Sequence, residues 1–120
     1  MIDLYGIPNC DTVKRARAWL DAQQLPYRFH DFKKEGLPDA PVQRWIAAVG
    51  WEALLNRRGT TWRQLDAAAR DAVLDASSAQ ALLQAHPSLV KRPVVEWARP
   101  DVVTVGFDAD VWMSHREKLA

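Results

Sequence analysis

The sequence predicts an α/β fold with one mixed sheet and helices on its faces. Three observations lead to this prediction: a strand–helix–strand pattern fills residues 2–31, a long helical stretch follows it, and two short apolar runs precede a final amphipathic segment. With 120 residues, the chain is expected to form a single domain around one core.

The composition is ordinary for a soluble globular protein, with 48% apolar residues, 26% charged residues and a net charge of +1. A net charge this close to zero does not indicate nucleic acid or an anionic membrane as the main ligand. No apolar run approaches the ~20 residues of a membrane span, and no secretory signal pattern follows Met1. Together with a free thiol, these features predict a cytoplasmic protein without direct nucleic-acid or membrane contact.

The beginning of the chain predicts a β-α-β unit with parallel strands. Asn9 or Asp11 is expected to cap the helix, and Pro26 prevents its continuation. Val13, Ala16 and Leu20 fall on one face of that helix. The predicted elements are a strand over 2–5, a loop over 6–9, a helix over 11–24 and a strand over 27–31.

The middle of the chain predicts a helical insertion at about 39–87. Gly50 is expected to end its first helix, and Ser77 or Ser78 to cap its last one. Polar residues 33–39 and 56–61 are expected to form a loop and a turn. The predicted helical segments cover 39–49, 51–55, 65–76 and 78–86.

The end of the chain predicts an antiparallel hairpin followed by a helix. Its strands cover 93–97 and 102–105, with Arg99-Pro100-Asp101 as the turn, and Asp108 is expected to cap the last helix. The complete order, β-α-β, helical insertion, β-β-α, is that of a thioredoxin-like fold with a mixed sheet.

Cys10 is the first candidate for chemistry, because it is the sole cysteine and stands where a helix begins. A lone cysteine is most often buried and inert. A helix N-terminus, however, offers unpaired N–H groups and a partial positive charge, and both favour the thiolate. This setting favours a reactive thiol, and no intramolecular disulfide can form.

Arg92 and Pro93, directly before a predicted strand, are the second candidate. In a thioredoxin-like sheet a proline here would be cis and would lie beside the active cysteine. Arg92 could then present its guanidinium to an oxyanion or a carboxylate. The alternative from the residues alone is that Lys91 and Arg92 form a basic surface pair before an edge strand.

Other polar groups carry weaker signals. The histidines at 30, 86 and 115 lack metal-ligand spacing, and no metal site is expected. Arg57, Arg58 and Arg63 with Trp62 suggest nucleic-acid contacts, but a solvated turn is the favoured interpretation because the net charge is close to zero.

Two segments resemble the arsenate reductase (ArsC) family, which has a thioredoxin-like fold and includes the Spx-type transcription regulators. They are GIPNCDT at 6–12 and HPSLVKRP at 86–93. A closer resemblance is to the YffB-like branch of the family, through WEALLN at 51–56 and RRGTTWR at 57–63.

The resemblance implies that Cys10 is the nucleophile, which forms a mixed disulfide with glutathione, and that Arg92 binds an oxyanion. It places Asn9, Asp11 and Thr12 in the loop around the sulfur. It also places Arg57, Lys91 and Pro93 in the thiol- or oxyanion-binding site. Glutathione or a glutaredoxin-type thiol donor is the implied partner, and no bound cofactor is expected.

The arsenate reductases bind the oxyanion with three arginines. This chain has an arginine at one of the three positions, Arg92. A second follows an Ala-Leu-Leu sequence in the family, where this chain has Asn56 and then Arg57. The third lies in the last hairpin, where residues 105–107 contain no arginine. The resemblance therefore implies a single-cysteine, glutathione-dependent thiol reductase, and the missing arginines argue against arsenate itself as its substrate.

A regulatory function is the alternative that the resemblance implies. Spx-like proteins bind RNA polymerase and commonly carry a Cys-x-x-Cys switch. Val13 occupies the second cysteine position of that switch. A Spx-like protein of this sequence would therefore bind RNA polymerase or another protein without an internal disulfide.

Overall fold

The chain divides into two compact units in a computed structural model that describes residues 1–99 and 101–119. The first unit holds residues 1–31 and the described residues from 92 onward, and the second holds residues 32–91. The predicted helical insertion lies within the second unit. Pro100, part of the predicted hairpin turn, and Ala120 lie outside the described residues.

A four-stranded mixed sheet is the centre of the first unit. Its strands are β1 (Ile2–Gly6), β2 (Tyr27–Asp31), β3 (Val94–Glu96) and β4 (Val103–Val105). They lie in the order β2-β1-β3-β4. β1 runs parallel to β2 and antiparallel to β3, and β3 is antiparallel to β4. This is the mixed sheet of a thioredoxin-like fold, as the sequence predicted.

Helices account for most of the remaining described residues. The last of them is capped as predicted, because the side chain of Asp108 accepts hydrogen bonds from the backbone N–H groups of Asp110 and Val111. No described helix is both long enough and apolar enough to cross a membrane. The helices are α1 (Asp11–Ala22), α2 (Phe32–Glu35), α3 (Asp39–Val49), α4 (Trp51–Leu54), α5 (Thr60–Gln64), α6 (Ala67–Asp71), α7 (Ala76–Ala85) and α8 (Ala109–Leu119), with a 3₁₀ turn at Pro87–Leu89.

The core of the first unit lies between the sheet and helices α1 and α8. Val13, Ala16 and Leu20 are fully buried on α1, and their spacing confirms the predicted apolar face. From α8, Trp112 enters the same cluster and meets the ring of Trp97 edge to face, with 5.1 Å between ring centroids. Burial of these side chains holds α1, and with it Cys10, against the sheet.

The C-terminus of α1 closes in a Schellman-type turn. The N–H of Leu25 donates to the carbonyl oxygen of Leu20 at 3.0 Å, and Gln24 adopts a left-handed backbone with φ of 57°. A residue with a Cβ is strained there, and glycine is the usual choice. Leu25 packs against the apolar core of the unit, which fixes the path from α1 into β2.

Replacing Gln24 by glycine is expected to raise the free energy of unfolding by about 0.5–1 kcal/mol, because glycine removes the left-handed strain. The measurement is the urea midpoint of the variant relative to the parent chain. The matched control is Gln23→Gly, because Gln23 has a right-handed backbone with φ of −83° and should lose stability on the same change. A Gln24→Gly variant that is no more stable than the parent would contradict the strain argument.

The second unit is helical, and its described residues form an isolated antiparallel bridge between Leu55 and Val90. Its buried side chains include Trp45 of α3, Leu54 of α4 and Leu83 of α7. The bridge is extended by the N–H of Lys91, which donates to the carbonyl oxygen of Leu54 at 2.8 Å. Gly50 follows α3 with a φ of 85° and ends that helix, as predicted.

One predicted helix, over 65–76, is wrong, because two aspartates act as caps inside it. The Asp66 side chain accepts a hydrogen bond from the N–H of Ala69 at 2.8 Å and starts the short helix α6. Asp75 caps α7 in place of Ser77 or Ser78, and Ser78 completes the capping box with its hydroxyl. Aspartate competes with the helical backbone for hydrogen bonds, which favours a cap over continuation of a helix.

Candidate active site

Cys10 lies between the end of β1 and the first turn of α1, half-buried, and is itself the N-cap of the helix. Its backbone is extended, with φ of −137° and ψ of 124°, and its carbonyl oxygen accepts the first helical hydrogen bond from the N–H of Lys14 at 2.9 Å. The expectation that Asn9 or Asp11 caps the helix is therefore wrong. A cysteine at this position has its sulfur next to the free N–H groups of the helix.

Close packing between Gly6 and Val13 shapes the loop before Cys10. A Cβ on Gly6 would come within 2.9 Å of Cγ2 of Val13, so a side chain there would force the loop and the helix apart. Glycine at the end of β1 thus permits the tight connection that brings the cysteine to the helix start.

Two opposing effects act on the pKa of the Cys10 thiol, and the net result is a pKa below the ordinary value. Partial burial of the sulfur raises the pKa, because it removes solvent from the thiolate. The backbone N–H of Val13, the guanidinium of Arg92 and the backbone N–H of Thr12 lower it by more than burial raises it. The arrangement therefore stabilises the thiolate, the form of cysteine that attacks electrophiles.

The contribution of Val13 was missed from the sequence, where the resemblance placed Asn9, Asp11 and Thr12 in the loop around the sulfur. The sequence does contain a signal for the contact between Val13 and the sulfur. If Cys10 is the N-cap, the second and third helical residues are Thr12 and Val13, and a capping side chain contacts the N–H groups at these two positions.

Arg92 is brought to Cys10 by the pairing of β3 with β1. Tyr5 lies opposite Val94 in this antiparallel pair, so residues 92 and 93 continue alongside the loop that follows β1. The Arg92–Pro93 peptide bond is cis, the state expected for a proline at this point of a thioredoxin-like sheet. The carbonyl oxygen of Pro93 accepts a hydrogen bond from the N–H of Gly106 at 2.9 Å, which ties the segment to the end of β4.

The remaining predicted site residues of the first unit differ in their burial. Asn9 and Asp11 are exposed on either side of Cys10, whereas Thr12 is half-buried and Pro93 is buried. Thr12 is the one of these four whose backbone lowers the pKa of the thiol. Asn9, Asp11 and Pro93 are placed beside Cys10 by the chain and by strand pairing, and their roles stay predictions.

Arg57 and Lys91 belong to the second unit. The guanidinium of Arg57 lies over the rings of Trp51 and Trp62, at 5.5 Å and 5.9 Å from their centroids. Asn56 holds the turn, because its side-chain oxygen accepts a hydrogen bond from the N–H of Arg58 at 3.0 Å. Lys91 is exposed, and its N–H bonds to Leu54. The proposed participation of these two cations at the sulfur stays a prediction.

The histidines of the first unit have partners away from Cys10. His30 on β2 pairs with Asp3 at 2.9 Å and stacks on Tyr5. The ring of His115 on α8 stacks on Trp97. Within residues 1–99 and 101–119, no group of three His, Cys, Asp or Glu side chains is placed to hold a metal ion.

Comparisons with known proteins agree with this fold. The solved structure of a YffB protein superposes with a TM-score of 0.89 at 44% identity, covering 96% of this chain and 98% of that one. An arsenate reductase (ArsC) related protein from Brucella melitensis gives a TM-score of 0.73 at 47% identity, covering 94% and 92%. The global transcriptional regulator Spx of Listeria innocua is 27% identical over 100 residues, which are 79% of this chain and 72% of that protein.

The family relationship extends over almost the whole sequence. The sequence model described as the ArsC family matches residues 5–114, which include both Cys10 and the Arg92–Pro93 pair. The chain belongs to the ArsC family.

Proposed function

We propose that this protein is a glutathione-dependent thiol reductase in which Cys10 is the nucleophile. The observation that carries the proposal is the position of the sulfur at the N-terminus of α1, where Val13, Thr12 and Arg92 lower the pKa of the thiol. Exposure supports it as well, because Cys10 is half-buried and can be reached from solvent. Family membership adds a thioredoxin-like scaffold that suits thiol chemistry.

The proposed reaction is an exchange between thiolates and disulfides in two steps. The Cys10 thiolate attacks the glutathione sulfur of a glutathionylated substrate, the substrate leaves as a thiolate, and a Cys10–glutathione disulfide forms. A glutathione thiolate then attacks the glutathione sulfur of that disulfide, which releases oxidised glutathione and restores Cys10. A second glutathione is required because the chain has no other cysteine.

Arg92 has two proposed roles in this reaction. As a fixed cation beside the sulfur, it stabilises the Cys10 thiolate before attack and when the thiolate is regenerated. It can also bind a carboxylate of glutathione through its planar guanidinium. A glutaredoxin-type protein is an alternative thiol donor for the second step.

Arsenate is not the substrate that we propose. A small, multiply charged oxyanion requires several charge-assisted donors around it. The charged side chain that lowers the pKa of Cys10 is that of Arg92, and the positions 105–107 in the last hairpin carry no arginine. A disulfide substrate is uncharged at its sulfur atoms and needs fewer such donors.

The direct test is the mass of the protein after incubation with oxidised glutathione. We expect a single adduct of one glutathione on Cys10, which reduced glutathione removes. The mass analysis is combined with turnover of a glutathionylated peptide in a coupled assay for oxidised glutathione. If no adduct forms, or if an adduct forms that glutathione cannot remove, the proposed thiol donor is wrong.

Replacing Arg92 by glutamine is expected to move the pH midpoint of Cys10 alkylation upward. The folded protein holds the pKa of this thiol below its ordinary value, and the guanidinium is one of the causes, so its removal raises the pKa and reduces the thiolate fraction at neutral pH. The measurement is the rate of alkylation by iodoacetamide as a function of pH.

The matched control for Arg92 is Arg15→Gln. Arg15 is an exposed cation on α1, and it is not among the causes that lower the pKa of Cys10. The control should leave the midpoint unchanged, because solvent and salt screen exposed charges. Equal shifts in the two variants would mean that general charge, and not the Arg92 contact, sets the thiol pKa.

A second candidate function is supported by the relationship to the transcriptional regulator Spx. In this case the chain would bind RNA polymerase or another protein, and Cys10 would sense oxidants or have no function. An internal Cys-x-x-Cys disulfide is impossible, since the second position is the buried Val13. Two measurements separate the two functions. The regulatory function is supported if the Cys10→Ser variant still binds a polymerase subunit in a pull-down and the parent chain shows no reductase turnover.

A further inference from the structure

A cavity of about 320 Å³ lies in the first unit, at the end of the sheet away from Cys10. β1 leads from Ile2 to Gly6 and then to Cys10, whereas the antiparallel β3 ends near Asp3, at the opposite end of β1. The cavity is lined by residues that follow β3 (Trp97, Ala98, Arg99 and Val102) and by residues in the last turns of α8 (His115, Lys118 and Leu119). It is therefore separate from the thiol site.

The walls of this cavity are largely aromatic and aliphatic. The half-buried ring of His115 stacks on Trp97, with 5.1 Å between the ring centroids and 13° between the planes. Trp97 itself is 2% exposed, so His115 presents the accessible ring surface. Val102 and Leu119 add aliphatic surface, and Leu119 is 38% exposed. Burial and the nearby Lys118 lower the pKa of His115, so its imidazole is neutral at pH 7 and adds no charge to the stack.

Two cations, Arg99 and Lys118, line the same cavity. None of the described residues in its lining carries a carboxylate. Arg99 forms an ion pair with Asp101 at 3.4 Å, in which both side chains are more than 70% exposed, so solvent screens the pair and a ligand can compete with it. The cavity thus combines an apolar wall with two cationic side chains at its rim.

We propose that this cavity binds a small molecule that joins a ring-sized apolar group to one carboxylate. The apolar group packs against the ring of His115 and the side chains of Val102 and Leu119, and the carboxylate lies between Arg99 and Lys118. The volume is at the lower end of the range for small-molecule sites, about 300–1,000 Å³, and the wall is apolar with a few polar groups, as in such sites. The planar guanidinium of Arg99 matches a carboxylate in geometry.

The test uses 4-phenylbutanoate as the probe and its uncharged amide as the comparison, each titrated into the full chain and followed by two-dimensional NMR. We expect saturable shifts at the signals of Trp97, Val102 and His115 with the carboxylate, and binding of the amide that is ~3-fold or more weaker. Non-saturable shifts, equal affinities for the two probes, or shifts centred on Cys10 would each overturn the proposal.

Replacing Lys118 by glutamine is expected to weaken binding of the carboxylate ~2- to 5-fold and to leave binding of the amide unchanged, because one charged contact near the surface is lost. Arg116→Gln is the matched control: it removes an exposed cation from the same helix, outside the cavity lining. Equal weakening by the two substitutions would show that the net charge of α8, and not the cavity, attracts the probe. Unchanged binding in Lys118→Gln would also overturn the proposal.

Discussion

Replacing Cys10 by serine is expected to lower thiol–disulfide turnover at least ~10³-fold, because a serine hydroxyl is a far weaker nucleophile and cannot form the mixed disulfide. No other cysteine of the chain can substitute for it. The measurement is the rate of deglutathionylation of a peptide in the presence of reduced glutathione. The same variant should show no glutathione adduct by mass.

The Cys10→Ser variant should retain its fold, because serine is close to cysteine in size and the position is half-buried. Thermal unfolding of the parent and the variant supplies this control. Arg15→Gln offers a second control, because it changes an exposed residue of α1 that is not among the causes that lower the pKa of the thiol. A folded Cys10→Ser variant with turnover close to that of the parent would contradict the proposed mechanism and would favour the regulatory function.

Replacing Trp112 by alanine is expected to lower the free energy of unfolding by about 3–5 kcal/mol. Trp112 is 1% exposed and meets the rings of Trp19, Trp97 and Phe107 edge to face, with centroid distances of 5.7, 5.1 and 4.8 Å. Its removal leaves a cavity between α8, α1 and the sheet. The measurement is urea unfolding followed by far-ultraviolet circular dichroism.

The neighbouring Val111 provides the control for Trp112. Val111 is 45% exposed on the same helix, so Val111→Ala should change stability by no more than about 0.5 kcal/mol. If Trp112→Ala does not fold, Trp112→Phe retains an aromatic ring and should give a smaller loss. Equal stability of the Trp112→Ala and Val111→Ala variants would show that the aromatic cluster does not hold α8 in place.

Local patterns predicted most of the elements of the first unit. Helical periodicity identified the buried face of α1, and apolar runs identified β1, β2 and the two strands of the hairpin. Asp108 was correctly predicted as the cap of α8, because an N-cap depends on a residue and its nearest neighbours. These features are local, so they are readable from the sequence.

The second unit was less predictable, because its helices are short and their boundaries depend on competing caps. Asp66 and Asp75 each start a helix in a stretch where the alanine-rich pattern predicted continuous structure up to residue 76. The helix Thr60–Gln64 begins within residues 56–61, which were predicted as a turn, and the helix Phe32–Glu35 overlaps residues 33–39, which were predicted as a loop. In such short segments, packing decides between helix and turn, because it overrides the weak local preferences of the residues.

The amino-acid sequence by itself determined the order of the elements, the thioredoxin-like class and the place of the single cysteine at the start of a helix. Only the tertiary structure decided that Cys10 itself is the N-cap and that Arg92 acts on its sulfur. The physical reason is that Arg92 reaches Cys10 through the antiparallel pairing of β3 with β1, a contact between segments far apart in the chain. Local patterns specify helices and strands, whereas the charge around a thiol depends on which distant segments fold against it.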